Sequence, residues 1–69
     1  MLFGRKIKAA RQAAGLSQSE LAKKAGVPVD SLQNWEQDRR KPTLPNAIAL
    51  AKALGLALDE LVERGMKKE

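Results

Sequence analysis

With residues 29–37 wound as a helix, Asp30, Gln33, Asn34 and Gln37 fall on one face. An amide both donates and accepts hydrogen bonds, and a carboxylate accepts only. Side chains of this kind match the donor and acceptor pattern that base edges present in the major groove of DNA. The competing use of the same face is an ordinary solvated surface. Just beyond it, Arg39, Arg40 and Lys41 form a dense positive cluster. Its chemistry is that of phosphate contact, with a solvated loop as the alternative. Catalysis has no comparable set of residues. The chain contains no Cys and no His, and its carboxylates are scattered over predicted helices. Neither nucleophilic nor metal chemistry has a home, and no cofactor is called for.

The reading face needs elements to hold it, and residues 17–36 supply them. Ser17 followed three residues later by Glu20 is a capping box, which predicts a helix over Gln18–Ala25. Leu21, Ala22 and Ala25 form its apolar stripe, and Gly26 stops it. Pro28 restarts the chain with a φ that suits a first helical turn, giving a second helix over Val29–Gln37. Leu32 and Trp35 fall on its inner face, flanked by Val29 and Glu36. Two helices joined by a short turn containing Gly are the composition cue for a helix-turn-helix.

Size and charge agree with a small binding domain. At 69 residues the chain is one domain, near the length at which a single core only just suffices. Without Cys or His it has no disulfide or Cys/His zinc site to staple it, so stability rests on Leu, Ile, Val and Ala packing between helices. Thirteen Lys and Arg against eight Asp and Glu leave a net charge of +5, a bias toward polyanionic partners. No apolar run reaches the roughly 18 residues of a membrane span. The start, Met-Leu-Phe-Gly-Arg-Lys, lacks the apolar region of a signal peptide, which points to the cytoplasm.

The remaining helices follow from periodicity. Phe3, Ile7, Ala10 and Ala14 share one face of a first helix over Leu2–Ala14, closed by Gly15, with Leu16 packed beneath the turn. Arg11 lies on the edge of that stripe, where a charge needs a partner. Thr43 caps a fourth helix that tolerates Pro45 in its first turn, turns Leu44, Ile48, Ala51 and Leu54 to the core and ends at Gly55. A fifth helix over Leu58–Arg64 buries Leu58, Leu61 and Val62 until Gly65 stops it. Residues 1–65 then form the domain, and 66–69 a disordered tail.

Several ordered blocks carry a resemblance. They are Phe3-Gly-Arg-Lys-Ile-Lys8, Leu16-Ser-Gln-Ser-Glu-Leu-Ala22, Gly26-Val27, Trp35-Glu36, Arg40-Lys-Pro42, Leu50-Ala-Lys-Ala-Leu-Gly55 and Leu58-Asp-Glu-Leu61. With these the chain resembles the phage-repressor/Cro type (xenobiotic-response-element) of helix-turn-helix family over nearly its whole length. The resemblance implies an all-α, five-helix DNA-binding domain of a prokaryotic cytoplasmic regulator, usually a dimer, acting in transcriptional repression.

It also implies roles for particular residues. In that family an Arg at the place of Arg11 pairs with the Glu after the hydrophobic anchor of the recognition helix, here Glu36. Gln18 touches the DNA backbone and steadies the recognition helix. Val29, Asp30, Gln33 and Asn34 face bases, with Val29 able to touch a thymine methyl, and Arg39, Arg40 and Lys41 grip phosphates. Relatives often pair through the segment after the fourth helix, which here holds Leu56, Leu58, Leu61, Val62 and Met66. Some of these are needed for the monomer core, so a weak homodimer that pairs on a palindromic operator is expected.

Departures from the family pattern matter as well. Pro28 stands where a Ser or Thr cap is usual, Ala57 where a capping Ser is common, and Asp38 where Gly often stands. Asp is among the few other residues that tolerate positive φ. Asp30 brings a negative charge that complements the helix dipole and could accept from a cytosine amino group, while nearby phosphate would repel it. The expected function is sequence-specific binding of double-stranded DNA by a non-enzymatic transcriptional regulator. The rivals are an antitoxin or adaptor that holds a protein with the same bundle, and an RNA-associated co-regulator.

Overall fold

A computed structural model describes residues 3–61, apart from the Phe3 side chain. Four α-helices follow one another: α1 Phe3–Ala13, α2 Gln18–Ala25, α3 Val29–Glu36 and α4 Leu44–Leu54, with a 3-10 turn at Leu58–Glu60. No strand occurs among the described residues. The Phe3 side chain, Leu2 and everything expected beyond Leu61 (Val62, Arg64, Gly65, Met66 and the 66–69 tail) lie outside the described residues.

The boundaries have local causes. Ser17 Oγ accepts from the Glu20 N–H at 3.0 Å while Glu20 Oε1 accepts from the Ser17 N–H at 2.8 Å, which closes the capping box at the start of α2. Those backbone and hydroxyl hydrogen bonds from Ser17 hold the Glu20 carboxyl below its ordinary pKa. Thr43 Oγ1 accepts from the Asn46 N–H at 3.4 Å at the start of α4. Gly26 and Gly55 end α2 and α4 in the left-handed conformation, with φ of 74° and 72°. Pro28 sits at the N-cap of α3 rather than inside its first turn, with φ −66° and ψ 140°, and gives it no side-chain cap.

The core is small and mostly aliphatic. Ile7 from α1, Leu21 and Ala22 from α2, Leu32 and Trp35 from α3, Ala47, Leu50, Ala51 and Ala53 from α4, and Leu61 are buried together. Ala10, Leu16, Ala25, Val27, Val29, Leu54, Leu56 and Leu58 pack around them, partly exposed. Ala14 falls outside α1 and is exposed, so the stripe of that helix ends at Ala10.

Two further expectations are corrected. Leu44 and Ile48, read as core, are 62% and 41% exposed, and α4 buries Ala47, Leu50, Ala51 and Ala53 instead. Small residues let α4 lie close to α2, and the bulkier pair is turned outward. The fifth helix is the other correction, because a 3-10 turn stands at its start. Ala57 has no side-chain oxygen to cap with, and only the returning Glu60 Oε1 accepts the Ala57 N–H at 2.7 Å. A single tight turn with i→i+3 bonding results, carrying Leu61 into the core.

Candidate nucleic-acid interface

The inner side of α3 is pinned at three levels. Leu32 and Trp35 anchor it in the core, with Trp35 only 5% exposed. Glu36, one residue on, is buried and meets three donors. Arg11 Nε donates to Oε2 at 2.7 Å, Arg11 Nη2 to Oε1 at 3.1 Å, and Gln18 Nε2 to Oε1 at 3.1 Å. Arg11 Nη1 also donates to the Leu16 carbonyl at 2.9 Å. The fork of Arg11 thus joins α1 to α3 in a bidentate pair, and Gln18 brings in the first turn of α2. The side chains are 11% and 2% exposed, so solvent screens the pair little.

The C-terminal end of α3 is held by backbone. The Asp38 N–H reaches the Trp35 carbonyl at 3.1 Å and the Arg39 N–H the Asn34 carbonyl at 2.9 Å. This pair of bonds around a left-handed residue is a Schellman motif. The left-handed residue is Asp38 itself, at φ 59°. Its Oδ1 accepts the Gly4 N–H at 3.1 Å, so a residue in the costly conformation caps the start of α1. Gly4 is needed at that seat. A Cβ there would collide with the Trp35 carbonyl oxygen and lie 2.7 Å from that of Glu36.

With its inner side and end fixed, α3 presents its remaining faces to solvent. Asp30 and Gln33 are exposed, Asn34 is half-buried, and Val29 is half-buried against the core. Arg39, Arg40 and Lys41 follow directly, all exposed. Arg11, Gln18 and Glu36 are brought into one cluster, whereas Asp30, Gln33 and Asn34 line the outside of one helix and Val29 lies at its edge, against the core. Gln18 gives one of its two amide N–H groups to Glu36. Sequence reasoning missed two participants. The cap by Asp38 joins residues 34 positions apart, which no local pattern announces. Gly4 was legible as a glycine inside a helical stretch, a sign of close backbone approach.

Comparison with known proteins adds the rest. The helix-turn-helix family model matches residues 7–61. The HTH-type transcriptional regulator ImmR of Bacillus subtilis (strain 168) is 34% identical over 62 residues, covering 90% of this chain and 49% of that protein. The immunity repressor protein of Bacillus phage phi105 is 39% identical over 62 residues, covering 90% and 43%. The chain thus spans about half the length of these curated relatives. Among solved structures, the P22 c2 repressor protein in complex with a synthetic operator superposes with a TM-score of 0.84 at 33% identity, covering 91% of this chain and 96% of that one.

Proposed function

The chain belongs to the helix-turn-helix family, in its phage-repressor branch, and from that premise we propose that it binds double-stranded DNA sequence-specifically and represses transcription by steric exclusion. The observation that carries the reading is the division of labour on α3. Its inner side is locked by Trp35 and the Arg11–Glu36–Gln18 cluster, while its outer side presents an exposed carboxylate and amides. A rigid helix with polar side chains facing out is what major-groove readout requires. Val29, Asp30, Gln33 and Asn34 contact bases. Arg39, Arg40 and Lys41, with Gln18 at the start of α2, contact phosphates. The names of the relatives, an immunity repressor and a repressor solved on its operator, support the same direction.

The assembly belongs to the proposal too. One recognition helix reads few base pairs, and two-fold pairing on a palindromic operator sets two of them ~34 Å apart, one turn of DNA. Leu61 is fully buried within the monomer, which leaves the half-buried Leu56 and Leu58 as the described apolar residues of that segment. The homodimer is therefore weak and forms on DNA. No helix among the described residues is long and apolar enough to cross a membrane, in keeping with a cytoplasmic setting.

Random-site selection followed by salt-dependent gel shifts tests the reading. Arg39→Ala or Arg40→Ala weakens binding to all sequences alike and lowers the salt slope by about one unit. Gln33→Ala or Asn34→Ala changes which sequence is preferred, by ~1–3 kcal/mol for a lost bidentate contact. Unchanged preference after both amide substitutions would show that α3 is not the reader.

A further inference from the structure

Asp30 stands apart from every other acidic group on this surface. It lies in the first turn of α3, it is exposed, and among the described residues it makes no hydrogen bond or ion pair. Helical spacing places it between Gln33 and Asn34 on the side directly away from buried Leu32, Trp35 and Glu36. A free carboxylate at the centre of a DNA-facing surface is repelled by phosphate, and most base-edge atoms in the major groove are acceptors that repel it too. Only an amino group offers it a favourable contact.

We infer that Asp30 selects cytosine at one position of each half-site and rejects the other bases there. The inference rests on the proposed entry of α3 into the major groove and goes on to name the base. Amino donors in that groove are N4 of cytosine and N6 of adenine. On adenine, the acceptor N7 lies beside N6, and a carboxylate has no proton to give it. Asn and Gln bind adenine because they bring both a donor and an acceptor. On cytosine, the amino group has the C5–H edge on one side and the paired guanine O6 on the other. Adenine N6 lies between two acceptors, its own N7 and the paired thymine O4, so an acceptor-only side chain meets one opposing lone pair fewer on cytosine. Guanine and thymine present acceptors to the carboxylate and are excluded by charge. Asp30→Asn supplies the missing donor at nearly the same shape, so it converts the cytosine position into an adenine position.

The experiment is random-site selection with the wild-type protein, Asp30→Asn and Asp30→Ala, each followed by measured affinities for sites differing at the selected pair. Wild type enriches cytosine at one position per half-site. Asp30→Asn moves that position, and no other, toward adenine, with roughly a ten-fold reversal of the cytosine-to-adenine ratio. Asp30→Ala flattens the position and strengthens binding to random DNA, because a charge that opposes phosphate is gone. An Asp30 that serves only the helix dipole gives a different result: melting temperature falls in both variants and the selected sequence stays the same. That outcome, or a wild-type site lacking a cytosine that responds to Asp30→Asn, overturns the inference while leaving α3 as the reader. Failure of wild type to select any sequence overturns the DNA reading itself.

Discussion

Glu36→Gln isolates what the buried ion pair contributes. The amide matches the carboxylate in shape, so no cavity forms and packing around Trp35 is kept. What changes is the number of acceptors. Glu36 receives Arg11 Nε and Nη2 on its two oxygens and Gln18 Nε2 on one of them. In the amide one of those atoms becomes an NH2 group facing a guanidinium N–H, donor against donor. Arg11 is left charged at 11% side-chain exposure with two neutral acceptors, the amide oxygen that remains at position 36 and the Leu16 carbonyl, and no counter-charge. Removing one partner of such a pair costs ~3–5 kcal/mol. A 69-residue domain is stable by roughly 3–10 kcal/mol in total. With ~4–8 °C per kcal/mol at this size, the melting temperature falls by at least about 12 °C. Urea or thermal unfolding followed by circular dichroism reads the effect. The control is the double replacement Arg11→Met with Glu36→Met, which removes both charges and recovers most of the loss, since an uncharged pair of similar volume leaves no buried charge unpaired and frees only the Leu16 carbonyl and the half-buried Gln18 amide. If Glu36→Gln melts within about two degrees of wild type, the pair is not structural. A double replacement no better than the single one would falsify the account of the cost as an unpaired buried charge.

Other consequences can be checked in the same way. Asp38 accepts a cost of roughly 1–2 kcal/mol or less for its left-handed backbone and contributes a cap of ~1 kcal/mol to α1. Asp38→Asn, which keeps both an acceptor and tolerance of that conformation, should unfold within about 0.5 kcal/mol of wild type, whereas Asp38→Ala should lose about 2 kcal/mol in urea titration; equal effects from the two would remove the cap from the argument. The depressed pKa of Glu20 means that its carboxylate stabilises the fold above the ordinary value of 4.5 and loses that contribution as pH falls through the folded pKa. The stability advantage of wild type over Glu20→Gln should therefore shrink on acidification, and a pH-independent difference would contradict it. Trp35 at 5% exposure should emit at a blue-shifted wavelength in the native protein, and Trp35→Ala should cost ~3–5 kcal/mol; a solvated native spectrum would place the ring outside.

Much of this architecture was legible in the sequence because its signals are local. Ser17 with Glu20, Gly26, Thr43 and Gly55 each act within a turn of the backbone they control, and the bounds of α2 and α4 follow from them. Positive φ at Asp38 was legible for the same reason. The misread face of α4 shows where such reasoning stops. Its sequence, LPNAIALAKAL, is apolar on almost every side, so periodicity allows two stripes. Bulk favours the stripe of Leu44 and Ile48, but close approach of helices favours that of Ala47, Leu50, Ala51 and Ala53, and packing decides. The turn at Leu58–Glu60 keeps the apolar pattern of a helix without a side-chain cap to start one. The candidate site divides along the same line. Exposure of Asp30 and Gln33 follows from burial of Leu32 and Trp35, whereas the bond from Asp38 to Gly4 depends on a tertiary contact.

The loop after α3 holds adjacent cations that repel one another, and an untethered segment of that composition would sample many shapes. Here its first peptide groups are tied to the Asn34 carbonyl, and Asp38 is tied to the start of α1. A polyanion that meets Arg39 and Arg40 finds their backbone already set, so only side-chain rotamers are left to order. Each immobilised long side chain costs about 0.5–1.5 kcal/mol, and the larger loss from freezing backbone is avoided at the moment of contact. The tether thus acts on association without touching the ligand, through the entropy that the free protein has already given up in folding.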